Sequence, residues 1–209
     1  HALSWYHFLE VETYPKNQNE AVEFVMWKIQ KIMPISKDNA EIRIQLLKKE
    51  RDVTKILVVA TFKSFLKSIE GLLIEIGVEP NVIITPTLSF LNVFEKSLPK
   101  NGIVYWLREK DFSQIVFKDD LPISIREVDR PLEISRIDFE TMSMLSNIKE
   151  RFEDFELQEI VIFDELERIG IENYFSEKVR VLNIKDKIYN PSNDSKIASY
   201  VCGFGVLDL

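Results

Sequence analysis

The sequence predicts an α/β protein: a mixed sheet flanked by helices in residues 99–209, with a smaller α+β unit in residues 1–98. Three observations carry this. Residues 102–128, GIVYWLREKDFSQIVFKDDLPISIREV, hold three apolar or alternating runs (Ile103 to Leu107, Gln114 to Phe117, Ile123 to Val128). Charged turns at Arg108 to Asp111 and at Lys118-Asp119-Asp120 separate them, the pattern of consecutive antiparallel strands. Beyond them helical and strand patterns alternate, which requires right-handed crossovers and parallel pairing. Before them no copy of the three-strand pattern occurs.

Element by element, residues 7–14 (HFLEVETY) alternate as a short strand that Pro15 ends. A helix follows, capped by Asn17 or Asn19. Glu20 and Glu23 suit its positive end, Val22, Val25, Met26, Ile29 and Ile32 form one apolar face, and Pro34 stops it. Ile42 to Leu47 and Lys55 to Ala60 read as a hairpin across the polar turn Lys48 to Asp52. Ser64 to Ile76 is a helix with Phe65, Leu66, Ile69, Leu72, Leu73 and Ile76 at helical spacing and Gly77 as its stop. A brief strand (Val82 to Thr85) and a short helix (Thr87 to Lys96) lead to Pro-Lys-Asn-Gly at 99–102, the expected boundary. After the three strands come a helix (Ser135 to Phe152), a strand (Glu159 to Phe163), a helix (Leu166 to Phe175), a strand (Val179 to Leu182) and a last helix (Asp194 to Gly203). That chain order is the order of a ribonuclease-H-like unit, the half-molecule of actin-like ATPases.

Composition narrows the function classes. Twenty-seven basic against thirty-four acidic side chains give a net charge of -7, which disfavours non-specific attraction to nucleic acid or anionic lipid. The single cysteine, Cys202, forbids an internal disulfide and reads as a small core residue of a protein from a reducing compartment. No apolar run reaches spanning length and no signal peptide is recognisable. The start, His1-Ala2-Leu3, is not an initiator sequence, so the natural N-terminus is expected upstream.

From about residue 19 onward the chain resembles PilM, the actin-like cytoplasmic protein of type IV pilus assembly, and more distantly the cytoplasmic domain of the secretion protein GspL. Val25-Met26-Trp27-Lys28-Ile29 to Ile32-Met33-Pro34-Ile35 resembles the family's helix and following IPF segment. Ile56 to Ala60 with Gly77-Val78-Glu79-Pro80 is similar to its strand and Gly-x-x-Pro turn, and Ala198 to Gly203 with Gly205 to its last helix. The resemblance implies that the N-terminal unit corresponds to the subdomain inserted between the actin-like lobes. In the family this subdomain helps form a groove for a short N-terminal peptide of the membrane protein PilN. Trp27, Lys28, Lys31, Arg43 and Gln45 are the implied contacts, the alternative being an ordinary amphipathic surface. The resemblance also implies a location on the cytoplasmic side of the inner membrane, peripheral through a partner; a homodimer is a further expectation.

The departures from the family bear on chemistry. Actin-like proteins place an Asp-x-Gly turn between the first two strands of the second half, where backbone N–H groups hold phosphates. Here the stretch is Tyr105-Trp106-Leu107-Arg108-Glu109-Lys110-Asp111, with a leucine near the glycine position. The glycine turn under the adenine is replaced by Phe163-Asp164-Glu165-Leu166-Glu167-Arg168, whose acidic residues would repel a nucleotide. An N-terminal phosphate turn has no counterpart. The expectation is a chain without cofactor and without ATPase activity, a scaffold. Its rivals are an actin-like ATPase or small-molecule kinase lacking its N-terminal catalytic half, and an FtsA-like cytoskeletal component.

Other chemistry finds little support. A ribonuclease-H-like nuclease needs a carboxylate on its first central strand, where Tyr105 stands. Both histidines, His1 and His7, lie at the N-terminus, and no CxxC, HExxH, Walker or GxGxxG pattern occurs. Asp119-Asp120 reads as a hairpin turn, and Asp164, Glu165 and Glu167 as acidic residues opening a helix rather than a cation site. Phe139, Phe152, Phe155, Tyr174 and Phe175 are expected in the core.

Overall fold

The computed structural model describes residues 4–182 and Ile184. The predicted last helix and Cys202 lie outside the described residues. The chain forms two compact units, residues 1–83 and 84–209. The division falls ahead of the Pro-Lys-Asn-Gly run because the short helix before that run packs its aromatics on the second unit's sheet.

In the first unit, strand β1 (Ser4–Val11) is followed by helix α1 (Gln18–Ile29), strands β2 (Ala40–Lys49) and β3 (Thr54–Phe62), and helix α2 (Lys63–Glu75). The sheet is antiparallel in the order β1-β3-β2. Asn17 caps α1 by accepting from the N–H groups of Asn19 (2.8 Å) and Glu20 (3.4 Å), so the expected cap is the one used. The helix lays Val25, Met26 and Ile29 on Ile42, Ile56, Val58 and Ala60, and Met33 and Ile35 close the layer. Strand alternation then leaves Arg43 and Gln45, out of phase with Ile42 and Ile44, on the opposite sheet face.

Helix α2 forms where its periodicity predicts and ends as Gly77 requires. Gly77 takes φ +80°, its N–H reaches the Ile74 carbonyl (2.9 Å), and the Val78 N–H reaches that of Leu73 (2.8 Å). These two bonds satisfy carbonyls that the helix end would leave open. Its apolar stripe, however, is not a core: no α2 residue is buried, and Leu72 and Ile76 are 63% and 73% exposed. Replacing Ile76 with lysine should therefore change the urea midpoint of the chain by no more than about 0.5 kcal/mol equivalent. A loss of 2 kcal/mol or more would mean that this side chain is packed in solution, as cavity-forming core changes cost about that much.

Residues 82–85 do not form the expected strand. None of the eight described strands offers them a ladder, and the Thr85 hydroxyl instead caps helix α3 (Pro86–Phe94) by accepting from the Leu88 N–H. The second unit continues with strands β4 (Gly102–Leu107), β5 (Phe112–Lys118) and β6 (Leu121–Val128), helix α4 (Ile137–Arg151), and strands β7 (Glu159–Asp164) and β8 (Val179–Leu182). Strand order is β6-β5-β4-β7-β8, with antiparallel β4, β5 and β6 and parallel β4, β7 and β8, so the sheet is mixed as expected. Every residue of β4 is buried, because both of its faces are covered. On one face α4 packs Ile137, Met144, Leu145 and Ile148 against Ile103, Tyr105, Phe112 and Ile160. On the other, Phe90 and Phe94 of α3 meet Trp106 and Phe163.

The β5–β6 turn is Asp119-Asp120, both residues at positive φ (53° and 65°), which two-residue hairpin turns demand. The expected helix from 166 to 175 is replaced by a tight turn and one short 3-10 segment, Ile171–Tyr174. The Asp164 carboxylate captures the N–H groups of Leu166 (3.1 Å) and Arg168 (2.9 Å), and Glu167 and Gly170 turn left-handed (φ 50° and 74°). An aspartate that bonds its own downstream backbone competes with helix formation. Of the five aromatics expected in the core, Phe155 is buried and Phe152 and Phe175 pack beside it, but Phe139 and Tyr174 are 66% and 52% exposed.

Candidate functional site

Two regions carry the residues singled out by sequence: the surface of the first unit, and the two turns at the carboxyl ends of β4 and β7. On the first unit Trp27 is 66% exposed, and the Lys28 ammonium lies 5.9 Å from its ring centroid and 5.2 Å from that of Phe24. Trp27 and Lys28 lie on the outer side of α1, and Lys31, in the turn just past its end, is exposed. Arg43 and Gln45, also exposed, occupy the sheet face that α1 does not cover, and Arg43 donates to the Glu41 carboxylate. The five residues thus make two groups with the sheet between them, which strand parity would have indicated.

The β4–β5 turn is filled by its own side chains. Trp106 is wholly buried and stacks on Phe90, ring centroids 4.5 Å apart with planes 9° from parallel. The Arg108 guanidinium lies 4.0 Å from the indole centroid, a cation–π contact. Arg108 then closes the turn: its backbone N–H donates to the Asp111 carbonyl (3.1 Å), its Nε to the Asp111 carboxylate, and its Nη2 to Ser113 Oγ (3.1 Å). Beneath it, Ser113 Oγ and Thr87 Oγ1 are 3.0 Å apart, and Thr87 donates to Glu127 at 2.6 Å, fixing the start of α3 on the sheet.

The turn after β7 is equally occupied. Asp164 holds Arg168 by Nε (3.0 Å) and Nη2 (2.9 Å) with its carboxylate only 2% exposed, so its charge is matched within the turn. Glu165 accepts from Trp106 Nε1 at 2.9 Å. Burial pushes its carboxyl above the ordinary range, although the Trp106 bond and the Arg108 charge pull the other way. Asp164 and Glu165 are therefore engaged internally, rather than standing in the free repulsive cluster the sequence suggested. That Trp106 and Glu165 meet follows from the parallel register, Trp106 opposite Phe163 and Leu107 opposite Asp164. Nothing in sequence spacing marks the pair.

Where a metal nuclease would carry a carboxylate, Tyr105 sits buried with its hydroxyl 2.6 Å from Thr141 Oγ1 and accepting from Gln114 Nε2 at 2.6 Å. Burial drives its ionisation up to about 12, against the pull of those two hydrogen bonds. An unfolded tyrosine ionises near about 10. The raised folded value means that this contribution is fully present below pH about 10 and is lost as pH rises towards 12. Urea midpoints should fall over that window by on the order of 2–3 kcal/mol more in the native chain than in Tyr105→Phe. Equal losses would remove Tyr105 as the cause. Beside it, burial of Glu140 would raise its carboxyl, but Arg126 (3.0 Å) and Arg130 (2.7 Å) outweigh that and hold it below the usual range. Among the described residues no group of three His, Cys, Asp or Glu is placed to hold a metal ion. No described helix is long and apolar enough to cross a membrane.

The geometry defines an α/β chain whose mixed sheet carries, after β4 and after β7, turns filled by their own side chains. No protein-family model and no curated protein matches the sequence. Among solved structures, the chain is similar to a chain of the PilM–PilN type IV pilus biogenesis complex, with TM-score 0.68 and 15% identity over 99% of this chain and 75% of that one. It is also similar to the cytoplasmic domain of EpsL, an inner-membrane component of the type II secretion system of Vibrio cholerae (TM-score 0.51, 11% identity, 97% and 70% covered). A third likeness is to a Bacteroides thetaiotaomicron protein of actin-like ATPase fold and unknown function (TM-score 0.49, 13% identity, 94% and 68% covered). The chain shares its fold with that chain of the PilM–PilN complex and with the EpsL cytoplasmic domain, a mixed-sheet α/β architecture as expected from the order of its elements.

Proposed function

We propose that this chain is a non-catalytic actin-like scaffold on the cytoplasmic side of a type IV pilus or type II secretion inner-membrane platform, where it holds a short peptide of a PilN-like single-span membrane protein. The observation that carries the reading is the likeness along 99% of the chain to a component of a PilM–PilN complex. The non-catalytic part rests on the two turns, whose backbone is screened by Trp106, Arg108 and Glu165 and bonded to Asp111 and Asp164. A phosphate would have to displace those partners to reach the Arg108, Leu166 or Arg168 N–H groups. In this reading residues 1–83 correspond to the inserted subdomain. Trp27, Lys28 and Lys31 form one contact group on it and Arg43 and Gln45 another.

Calorimetry with two ligands tests both parts. Titration with magnesium ATP should give no binding heat; micromolar affinity would overturn the non-catalytic reading. Titration with the cytoplasmic N-terminal peptide of the organism's PilN-like protein should give a saturating isotherm that Trp27→Ala or Arg43→Ala weakens. No binding by the unaltered chain would remove the scaffold reading. Binding that neither variant weakens would move the contact elsewhere on the molecule.

A further inference from the structure

We propose that Trp106 and Arg108 form a built-in tether that makes the turn after β4 and the turn after β7 open and close as one unit, occupying from within the space between them. The inference holds whichever partner the protein binds, because it concerns only how the two turns move. Trp106 is the side chain common to both. Its ring carries the Arg108 guanidinium of the first turn at 4.0 Å, and its Nε1–H donates to Glu165 of the second at 2.9 Å. Phe90, stacked on the same ring at 4.5 Å, holds the indole in place.

Each turn is internally stiff, so a displacement at one end reaches the other. In the first, Arg108 bonds Asp111 through backbone and side chain and reaches Ser113. In the second, Asp164 binds the N–H groups of Leu166 and Arg168 together with the Arg168 guanidinium. One backbone bond, Glu165 N–H to the Leu107 carbonyl at 3.0 Å, also crosses between them. It belongs to the strand register and survives any side-chain change. What the indole and guanidinium add is therefore separable from it. The shared indole is the contact through which opening of one turn would bias the other.

Native-state amide exchange on the full chain tests the tether. Trp106→Phe keeps a ring against Phe90 and Arg108 and removes the donor to Glu165 together with the volume of the pyrrole ring. A hydrogen bond to a charged group is worth about one to two powers of ten in an opening equilibrium. The Leu166 and Arg168 amides, and with them the Arg108 amide of the other turn, should exchange about tenfold faster. Ile148→Val, a core change on the α4 face away from both turns, should lower global stability by a comparable amount and leave these turn amides unchanged. Arg108→Met approaches from the opposite side: it breaks the first turn's own bonds and should also speed Leu166 and Arg168, which it does not touch. If Trp106→Phe speeds only 166–168, or Arg108→Met only 108–111, the turns are independent and the tether is wrong. If Ile148→Val speeds the turn amides as Trp106→Phe does, the effect is global stability, and that too overturns it.

Discussion

Replacing Trp106 with alanine is expected to cost about 3–5 kcal/mol, a large part of the stability of a domain of ordinary size. The side chain is fully buried, stacked on Phe90 and capped by Arg108, so truncation leaves an aromatic-sized void against the α3 face. It also removes the donor to Glu165, a carboxylate that burial already holds above its usual range. Chemical denaturation followed by circular dichroism checks the magnitude. Trp106→Phe should recover part of the loss, since it restores a ring against Phe90 but lacks the hydrogen bond and the pyrrole ring's volume. A Trp106→Ala loss under 1 kcal/mol would show that the indole is not part of the core.

The second large effect is expected at Gly102, where a single added methyl has nowhere to go. A Cβ there would lie 2.4 Å from the Glu159 carbonyl oxygen and 2.8 Å from Pro99 Cβ. The obstacle is backbone on a neighbouring strand, so a rotamer change cannot relieve it. Gly102→Ala should cost about 3 kcal/mol, measured as a shift of the denaturant midpoint at unchanged slope. Gly71 is the control: nothing lies within 4 Å of its would-be Cβ, and alanine there should stabilise α2 by about 0.5–1 kcal/mol.

Much of the fold was legible because its signals are local. The charged turns between 102 and 128, the α4 period and the Asn17 cap each specify structure within a few residues, and each formed as read. The failures share a different cause. Periodicity announced α2 as amphipathic but says nothing of what covers it, and there the apolar face stays open. The 166–175 segment has helical composition, yet one upstream carboxylate, Asp164, holds its first N–H groups in a turn. At the candidate site, the bulk of the β4–β5 turn could be read from residues 105–111 alone. The pairing of Trp106 with Glu165 could not, because it depends on a parallel register between strands distant in sequence.

That same strand order has a kinetic meaning. β4 pairs on one side with β5, its immediate successor, and on the other with β7, which arrives only after β6 and α4 have been traversed. Closing the longer loop costs more chain entropy, so the three-strand meander can assemble before β7 docks beside it. Gly102 touches both partners, and the nearest obstacle to a methyl there is the Glu159 carbonyl, on the late-arriving strand. Its substitution should therefore leave the refolding arm of a chevron nearly in place and accelerate unfolding, so that one crowded methyl reports which edge of the sheet is last to close and first to leave.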